Sequence, residues 1–201
     1  MKKMSEQKLL IDQDVYLKSG IHIGTKFRTA YMEKFIYKTR PDGLSVLNLQ
    51  KIDERIKLAA NLLASFEPQD ILLVGRRENC WKSLKAFSKN TGCKVFAGRY
   101  PPGILTNPGL DNFMEVKIIL VNDSWPDRNA IKDAIATGIP VIALCDTNNQ
   151  SNNIDLVVPC NNKGKKSLGV LYYLLAREYL KIKGLLTGEP TFTMDDFTES
   201  D

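Results

Sequence analysis

The chain has 201 residues, which fits one domain, and its 43% hydrophobic and 25% charged residues are typical of a globular protein. Its formal net charge of +5 weakly favours polyanionic partners. No apolar run is long enough to span a bilayer, and the N-terminal residues do not form a secretory signal. The four cysteines form neither a C-x-x-C zinc pair nor a disulfide scaffold. We therefore expect a cytoplasmic protein with no metal site and no membrane partner.

The N-terminal part of the chain predicts one helix followed by a cationic segment. The helix covers residues 12–19, with Asp12 as its N-cap and Gly20 just after its end. Residues 21–43, here called the basic segment, mix cationic and aromatic side chains and end in a turn. Such a segment is either a solvated surface or a contact for phosphates, because lysine and arginine displace the counterions condensed on nucleic acid. The candidate phosphate contacts are Lys26, Arg28, Lys34, Lys38 and Arg40.

From residue 43 onward, short apolar runs alternate with helical patterns. Strands are expected at 43–49, 71–74, 94–97, 117–121, 140–145 and 155–158, and helices at 51–66, 78–90, 128–137 and 165–183. The apolar runs do not alternate with polar residues, as in strands that are covered by helices on both faces. This rhythm predicts an α/β fold with a doubly wound parallel sheet.

The predicted domain boundaries follow from the same pattern. We expect an N-terminal tail over 1–11 and a single α/β domain over 12–185 that includes the basic segment. Residues 186–201 form an acidic tail that is either disordered or docked on a basic neighbour.

In a doubly wound sheet, ligands approach the carboxyl ends of the strands, so the loops there carry a second set of candidate contacts. These are Arg76, Arg77, Arg99, Lys163, Lys165 and Lys166. The proline-rich loop over 99–109 is either structural or presents Arg99 and Tyr100 to a partner. Trp125 either packs in the core or lies exposed in its loop.

The motifs of nucleotide-binding and catalytic proteins are incomplete. Gly164-Lys165 matches half of a nucleotide-hydrolysing phosphate loop, but Pro159 replaces its first glycine and Lys166 replaces the hydroxyl that binds magnesium. The start of the last helix stays a candidate anion site. The single histidine, His22, lies far from any nucleophile motif. Four aspartates near strand ends fit turns and helix caps better than a metal site: Asp123, Asp127, Asp146 and Asp155.

Several segments, taken in order, resemble the family of the second protein of the small ribosomal subunit, in its archaeal and eukaryotic form. They are YLKSGIHIGT, KFIYKTRPDGLSVLNLQKIDERIKLAANLLA, GRYPPGILTNP, AIATGIPVIALCDTNN and IDLVVPCNNKGKKSLGVLYYLLAREYL, and they cover roughly residues 15 to 183. The chain lacks the helical hairpin that bacterial members insert after GILTN. It also departs from the family at 122–131, NDSWPDRNAI, where related chains usually have an aspartate–proline turn and a histidine.

The resemblance implies a Rossmann-like (flavodoxin-like) sheet with no enzymatic activity and no cofactor. It implies a structural constituent of the small ribosomal subunit that contacts small-subunit ribosomal RNA and neighbouring ribosomal proteins, joins late in assembly and supports translation. No membrane or DNA partner is implied. We expect the basic segment to contact RNA phosphates, with its aromatic residues mainly packing it onto the sheet. The alternatives are a nucleotide-binding α/β enzyme and a free protein–protein adaptor.

Overall fold

The computed structural model describes residues 9–186, 188 and 190–198. The helices are α1 (Gln13–Ser19), α2 (Ala30–Glu33), α3 (Leu49–Ala64), α4 (Trp81–Thr91), α5 (Arg128–Thr137), α6 (Lys165–Ile182) and α7 (Met194–Phe197). The strands are β1 (Ile36–Thr39), β2 (Ser45–Leu47), β3 (Ile71–Gly75), β4 (Lys94–Ala97), β5 (Ile118–Val121), β6 (Val141–Cys145) and β7 (Leu156–Pro159). Short 3₁₀ turns over Pro68–Asp70 and Glu78–Cys80 precede β3 and α4.

The main sheet has five parallel strands in the order β4-β3-β5-β6-β7. Numbered along the chain, this order is 2-1-3-4-5, the flavodoxin-like arrangement. Strands β3, β5 and β6 are buried along their whole length, as their continuous apolar runs predict. The predicted doubly wound α/β fold is therefore confirmed.

Helices cover both faces of the sheet, as predicted. Helix α6 packs between α3 and α4 on one face, and α5 packs against β5. Right-handed crossovers place α5 on the opposite face, because the chain steps across the sheet in one direction through α4 and in the other through α5. Among the described residues, no helix is both long and apolar enough to cross a bilayer.

The first predicted strand shortens to β2 and stays outside the main sheet. It pairs antiparallel with β1, a strand that the sequence pattern did not predict, to form a two-stranded hairpin. The turn between them contains Gly43 in the left-handed region, at φ 84°. The hairpin carries the C-terminal half of the basic segment.

The connection from β4 to β5 contains no helix. Its proline-rich loop packs instead against α5, where the Asp133 carboxylate accepts hydrogen bonds from the Tyr100 hydroxyl (3.0 Å) and the Gly103 backbone N–H (2.7 Å). Ile104, within this loop, is fully buried. The loop is thus structural and Tyr100 belongs to the core, whereas Arg99 is exposed.

The acidic C-terminal segment docks on the chain itself where the structure describes it. Phe197 is buried against Tyr173, and its carbonyl accepts a hydrogen bond from the Ser83 hydroxyl at 2.7 Å. The Lys82 ammonium donates to the Asp195 carbonyl. A Cβ at Gly169 of α6 would lie only 2.1 Å from the Thr198 methyl group and 3.2 Å from the Phe197 carbonyl oxygen, so the segment can approach α6 this closely only at a glycine.

Replacing Phe197 with alanine should release the C-terminal segment. Loss of a buried phenylalanine costs about 3 kcal/mol, and a terminal segment can open locally without unfolding the sheet. We therefore expect amide exchange over 194–198 to speed up on the order of 100-fold, while β5 and β6 stay protected. The matched control is Thr191→Ala at an exposed position of the same segment. Unchanged exchange over 194–198 would show that Phe197 does not hold the segment.

Candidate nucleic-acid interface

A buried carboxylate organises the carboxyl edge of the sheet, meaning the edge formed by the ends of β3–β7 and their loops. Asp123, just after β5, is 1% exposed. Its Oδ2 accepts from the Arg77 Nε and guanidinium NH2 at 2.9 and 2.6 Å. Its Oδ1 accepts from the Asn149 amide at 2.7 Å and the Trp125 backbone N–H at 3.0 Å. One side chain therefore joins the loops that follow β3, β5 and β6.

A second ion pair extends this network toward α6. Lys163 donates to the buried carboxylate of Asp146 at 2.8 Å. The Asn149 side-chain oxygen accepts from the Asp146 backbone N–H at 2.8 Å and from the Asn162 amide at 3.1 Å. Asp123 and Asp146 thus each have a cationic partner, which offsets the cost of burying their charge.

The network surrounds a small cleft at the point where the strand order reverses. The cleft has a volume of about 150 Å³ and is lined by Arg77, Asp123, Trp125, Asn148, Asn149, Gln150 and Lys163. Doubly wound proteins often bind nucleotides at this point, with cations or backbone N–H groups on the phosphates. Here Arg77 and Lys163 already neutralise aspartates of the chain. The arrangement therefore disfavours a nucleotide-phosphate site.

In the loop before α6, a side chain of the protein likewise occupies groups that a ligand would bind. The Asn161 side-chain oxygen accepts from the backbone N–H groups of Lys163 (3.1 Å) and Gly164 (3.2 Å). The Asn161 carbonyl accepts from the Ser167 hydroxyl at 2.7 Å. Two N–H groups that a bound phosphate would need are thus occupied by the protein's own asparagine. This arrangement weakens the expected anion site at the start of the last helix.

Asp127 has a structural role before α5. Its carboxylate accepts from the backbone N–H groups of Arg76 (2.9 Å) and Asp123 (3.1 Å). Burial raises its pKa to about 7, although the two N–H donors oppose that rise. Asp155 likewise accepts from the Val141 backbone N–H at 2.8 Å. Within the described ranges, no group of histidine, cysteine or acidic side chains could hold a metal ion.

The remaining potentially reactive side chains are packed into the structure. His22 is partly buried, and burial lowers its pKa. All four cysteines are free and buried, and burial raises the pKa of the Cys80 thiol to about 12. A thiol in such surroundings is a poor nucleophile because it stays protonated.

A threonine fastens the basic segment to the carboxyl edge. The Thr147 hydroxyl, at the end of β6, accepts from the Thr25 backbone N–H and donates to the Phe27 carbonyl, both at 2.9 Å. The Thr147 carbonyl accepts from the Thr29 backbone N–H at 2.9 Å. A Cβ at Gly24 would lie 2.5 Å from the Thr147 methyl group, so the backbones can approach this closely only with glycine. We call these contacts the Thr147 latch.

The aromatic residues of the basic segment divide into two groups. Phe35 is buried and packs the segment onto the core. Phe27 and Tyr37 are 80% and 69% exposed, and Tyr31 is 39% exposed. The expectation that packing is their main role is therefore wrong for Phe27 and Tyr37.

The five candidate cations of the basic segment are all exposed but have different surroundings. Arg28 lies 3.3 Å from Glu33, and Arg40 lies 3.6 Å from Asp42. Lys34 lies over the Tyr31 ring, 3.6 Å from its centroid. In the part of the chain that the structure describes, Lys26 and Lys38 form no ion pair. Exposed pairs such as those of Arg28 and Arg40 are weak and do not prevent contact with phosphate.

The six loop cations also divide. Arg77 and Lys163 hold buried aspartates, so their first role is structural. Arg76 and Arg99 are exposed, and Lys165 and Lys166 are exposed in the first turn of α6. The Thr147 latch brings the start of the basic segment to the same edge of the sheet as the loops after β3 and β7. Lys38 and Arg40 lie farther along, on the β1–β2 hairpin.

Sequence reasoning missed the neutral residues that build this edge: Thr147, Asn149, Asn161 and Asn162. A signal was present, because the runs CDTNNQSNN and PCNNKGKK place amide and hydroxyl side chains directly after two buried strands. The sequence did not indicate which side-chain amide forms hydrogen bonds with the polar groups of which loop.

Together, the fold and a cleft whose cations pair with the protein's own aspartates define a doubly wound α/β protein with a basic edge and no catalytic centre among the described residues. The family profile described as Ribosomal protein S2 matches residues 16–118 and 108–181. The chain belongs to this family, and the resemblance found in the sequence is confirmed.

Relatives match the chain over nearly its full length. The small ribosomal subunit protein uS2 of Methanococcus maripaludis strain C5 is 48% identical over 98% of this chain and 89% of its own. The protein of the same name from Nanoarchaeum equitans is 49% identical over 88% of each chain. That from Thermoplasma acidophilum is 45% identical over 96% of this chain and 98% of its own. Because this is a family of ribosomal structural components, the prediction that the chain is not an enzyme is confirmed.

Removing the hydroxyl of Thr147 should loosen the latch. Thr147→Val keeps the shape but leaves the Thr25 N–H without its partner, while the Phe27 carbonyl keeps only its hydrogen bond from the Thr25 hydroxyl at 2.9 Å. We expect a loss of about 2 kcal/mol in the free energy of unfolding, because buried polar groups without a partner cost 1–3 kcal/mol. Urea unfolding measures this change. Thr106→Val, at an exposed loop position, is the matched control, and equal stability of the two variants would contradict the role of the latch.

Proposed function

We propose that this chain is a structural constituent of the small subunit of an archaeal-type ribosome in the cytoplasm. There it is held by small-subunit ribosomal RNA and by neighbouring ribosomal proteins. The observation that carries the proposal is the 45–49% identity to small ribosomal subunit proteins along nearly the whole chain. A role in late assembly and in translation follows from such a position.

The distribution of charge supports RNA contact at the carboxyl edge and along the basic segment. The backbone that carries these cations is held in place, because the Thr147 latch and the Asp123 network fix the loops at this edge. Lysine and arginine contacts to phosphate position a protein on RNA without reading sequence. We propose that the basic segment supplies the main contacts, through Lys26, Arg28, Lys34, Lys38 and Arg40. Exposed loop cations add to them: Arg76, Arg99, Lys165 and Lys166.

The paired loop cations have a secondary place in the proposal. Arg77 and Lys163 each keep 36% of the side chain exposed, so a phosphate could share them with their aspartates. Removing either cation would leave the carboxylate of its aspartate buried without an opposite charge beside it. A loss of RNA binding in Arg77 or Lys163 variants would therefore mix a structural effect with a lost contact.

Contacts with neighbouring proteins have support on another part of the surface. Leu58 of α3, Ile182 at the end of α6 and Leu185 just beyond it are 43%, 45% and 69% exposed. Apolar side chains that are exposed in the isolated chain fit an interface that is covered on assembly. The modest net charge agrees with a surface of which RNA covers only a part.

Sucrose-gradient sedimentation of a cell lysate tests the assignment. A structural constituent should sediment with small subunits and with complete ribosomes. A free adaptor would instead stay mostly in the soluble top fractions, and that distribution would overturn the proposal. Micromolar binding of ATP or NAD by the purified protein would favour the enzyme alternative.

Charge reversal at Lys26 and Lys38 should weaken RNA binding without affecting the fold. Both side chains are exposed and form no ion pair within the described residues. The logarithmic salt dependence of binding to small-subunit RNA should become shallower by about 0.9 for each phosphate contact that is lost. Lys26→Glu combined with Lys38→Glu should also lower occupancy in small subunits when wild-type protein competes.

Lys132→Glu is the matched control, because Lys132 is exposed on α5, away from the basic segment and its loops. It changes the net charge in the same direction by one reversal instead of two, so the effect of position is read from the change in slope per reversed charge. An equal salt slope for the double variant and the wild type would show that Lys26 and Lys38 are only solvated.

A further inference from the structure

The cleft at the carboxyl edge has an exposed tryptophan at its rim. Trp125 is 75% exposed, yet its backbone N–H is fixed by Asp123 and it is followed by Pro126. The Asn149 amide, which also binds Asp123, donates to the Ser124 hydroxyl at 3.1 Å. The large indole ring of Trp125 is thus exposed to solvent, although the loop that carries it is fixed by hydrogen bonds to Asp123 and Asn149.

The chemistry of the cleft fits a planar group that forms hydrogen bonds and carries no charge. Asn148 and Gln150 line the cleft, and both are exposed. Their amides offer donors and acceptors, as the edge of a nucleobase requires. The two cations in the lining are each paired with an aspartate, so the cleft offers little to a phosphate group itself.

An exposed cation stands next in sequence to the cleft residue Arg77. Arg76 is exposed, and its backbone N–H is bound by Asp127 at the end of the loop that carries Trp125. On the other side, the latch ties the carbonyl of the exposed Phe27 to Thr147, in the loop that supplies Asn148. The loop that supplies Asn148 thus contacts the segment of Trp125 on one side and the backbone of Phe27 on the other.

We propose that the cleft receives an unpaired base of an RNA strand, which stacks on the Trp125 indole and turns its edge toward Asn148 and Gln150. This inference rests on the proposed function and specifies one of its contacts. Aromatic side chains bind single-stranded RNA in this way, because every base has a π face. Arg76 contacts a flanking phosphate, so the charge stays outside the cleft and the base lies inside.

Fluorescence of the full-length protein tests the stack directly. The chain has two tryptophans, and Trp81→Phe leaves Trp125 as the only reporter. Single-stranded hexanucleotides of uridine or adenosine should quench this fluorescence. A hexamer with the same phosphates and no bases should bind about tenfold more weakly without quenching, as expected for the loss of one stacked base. Equal binding and equal quenching by the abasic hexamer would overturn the proposal.

Two substitutions separate stacking from apolar contact. Trp125→Leu keeps an apolar side chain and removes the aromatic face, whereas Trp125→Phe keeps a smaller face. We expect the affinity for the hexanucleotides, measured by anisotropy of labelled RNA, to fall about tenfold for leucine and much less for phenylalanine. Since the side chain is exposed, both variants should fold. Equal affinities for the two variants would contradict stacking.

The assembled subunit provides the second test. Ultraviolet irradiation of small subunits should cross-link Trp125 to a ribosomal RNA nucleotide, which mass spectrometry identifies. A cross-link to a peptide of a neighbouring protein, or a Trp125 that stays open to acrylamide quenching in the subunit, would overturn the stacking proposal alone. Absence of the wild-type chain from small subunits would instead overturn the proposed function.

Discussion

The carboxylate of Asp123 is the constraint on which the carboxyl edge depends. Charge at a buried position requires a partner, and Asp123 obtains one from the loop after β3 while its other oxygen fixes the loops after β5 and β6. Because this ion pair lies where doubly wound proteins often hold a nucleotide, the chain's own carboxylates take the place of a ligand's phosphates. The same contacts that exclude nucleotide chemistry therefore make the edge rigid enough to serve as a binding surface.

The sequence predicted the sheet well because the central strands β3, β5 and β6 are continuous apolar runs, and such runs have few alternative structures. It also predicted the start and end of α1, since Asp12 and Gly20 occupy positions that favour them. The hairpin over 36–47 was harder to predict. The residues of β1 are mostly exposed, so no apolar periodicity marks this strand, and its order comes from pairing with β2.

The candidate cations illustrate a related limit. Their type and loop position could be predicted, but their partners could not, because ion pairing depends on which carboxylates the fold brings close. Arg76 and Arg77 are adjacent in sequence, yet one is exposed and the other neutralises a buried aspartate. A count of cations along the chain therefore overstates the charge available to RNA, whereas the fold separates cations with a structural task from those that face solvent.

The Thr147 latch has a consequence for the order in which the molecule forms during synthesis. Its two halves, Thr25 and Thr147, are 122 residues apart. The basic segment leaves the ribosome early, but the edge on which it rests does not exist until β6 has emerged. Lys26 and Arg28, which lie between the residues of the latch, are thus among the first residues translated and among the last to reach their final arrangement. Until then the nascent chain presents these two cations without the contacts that fix them, beside the RNA of the ribosome that is making it.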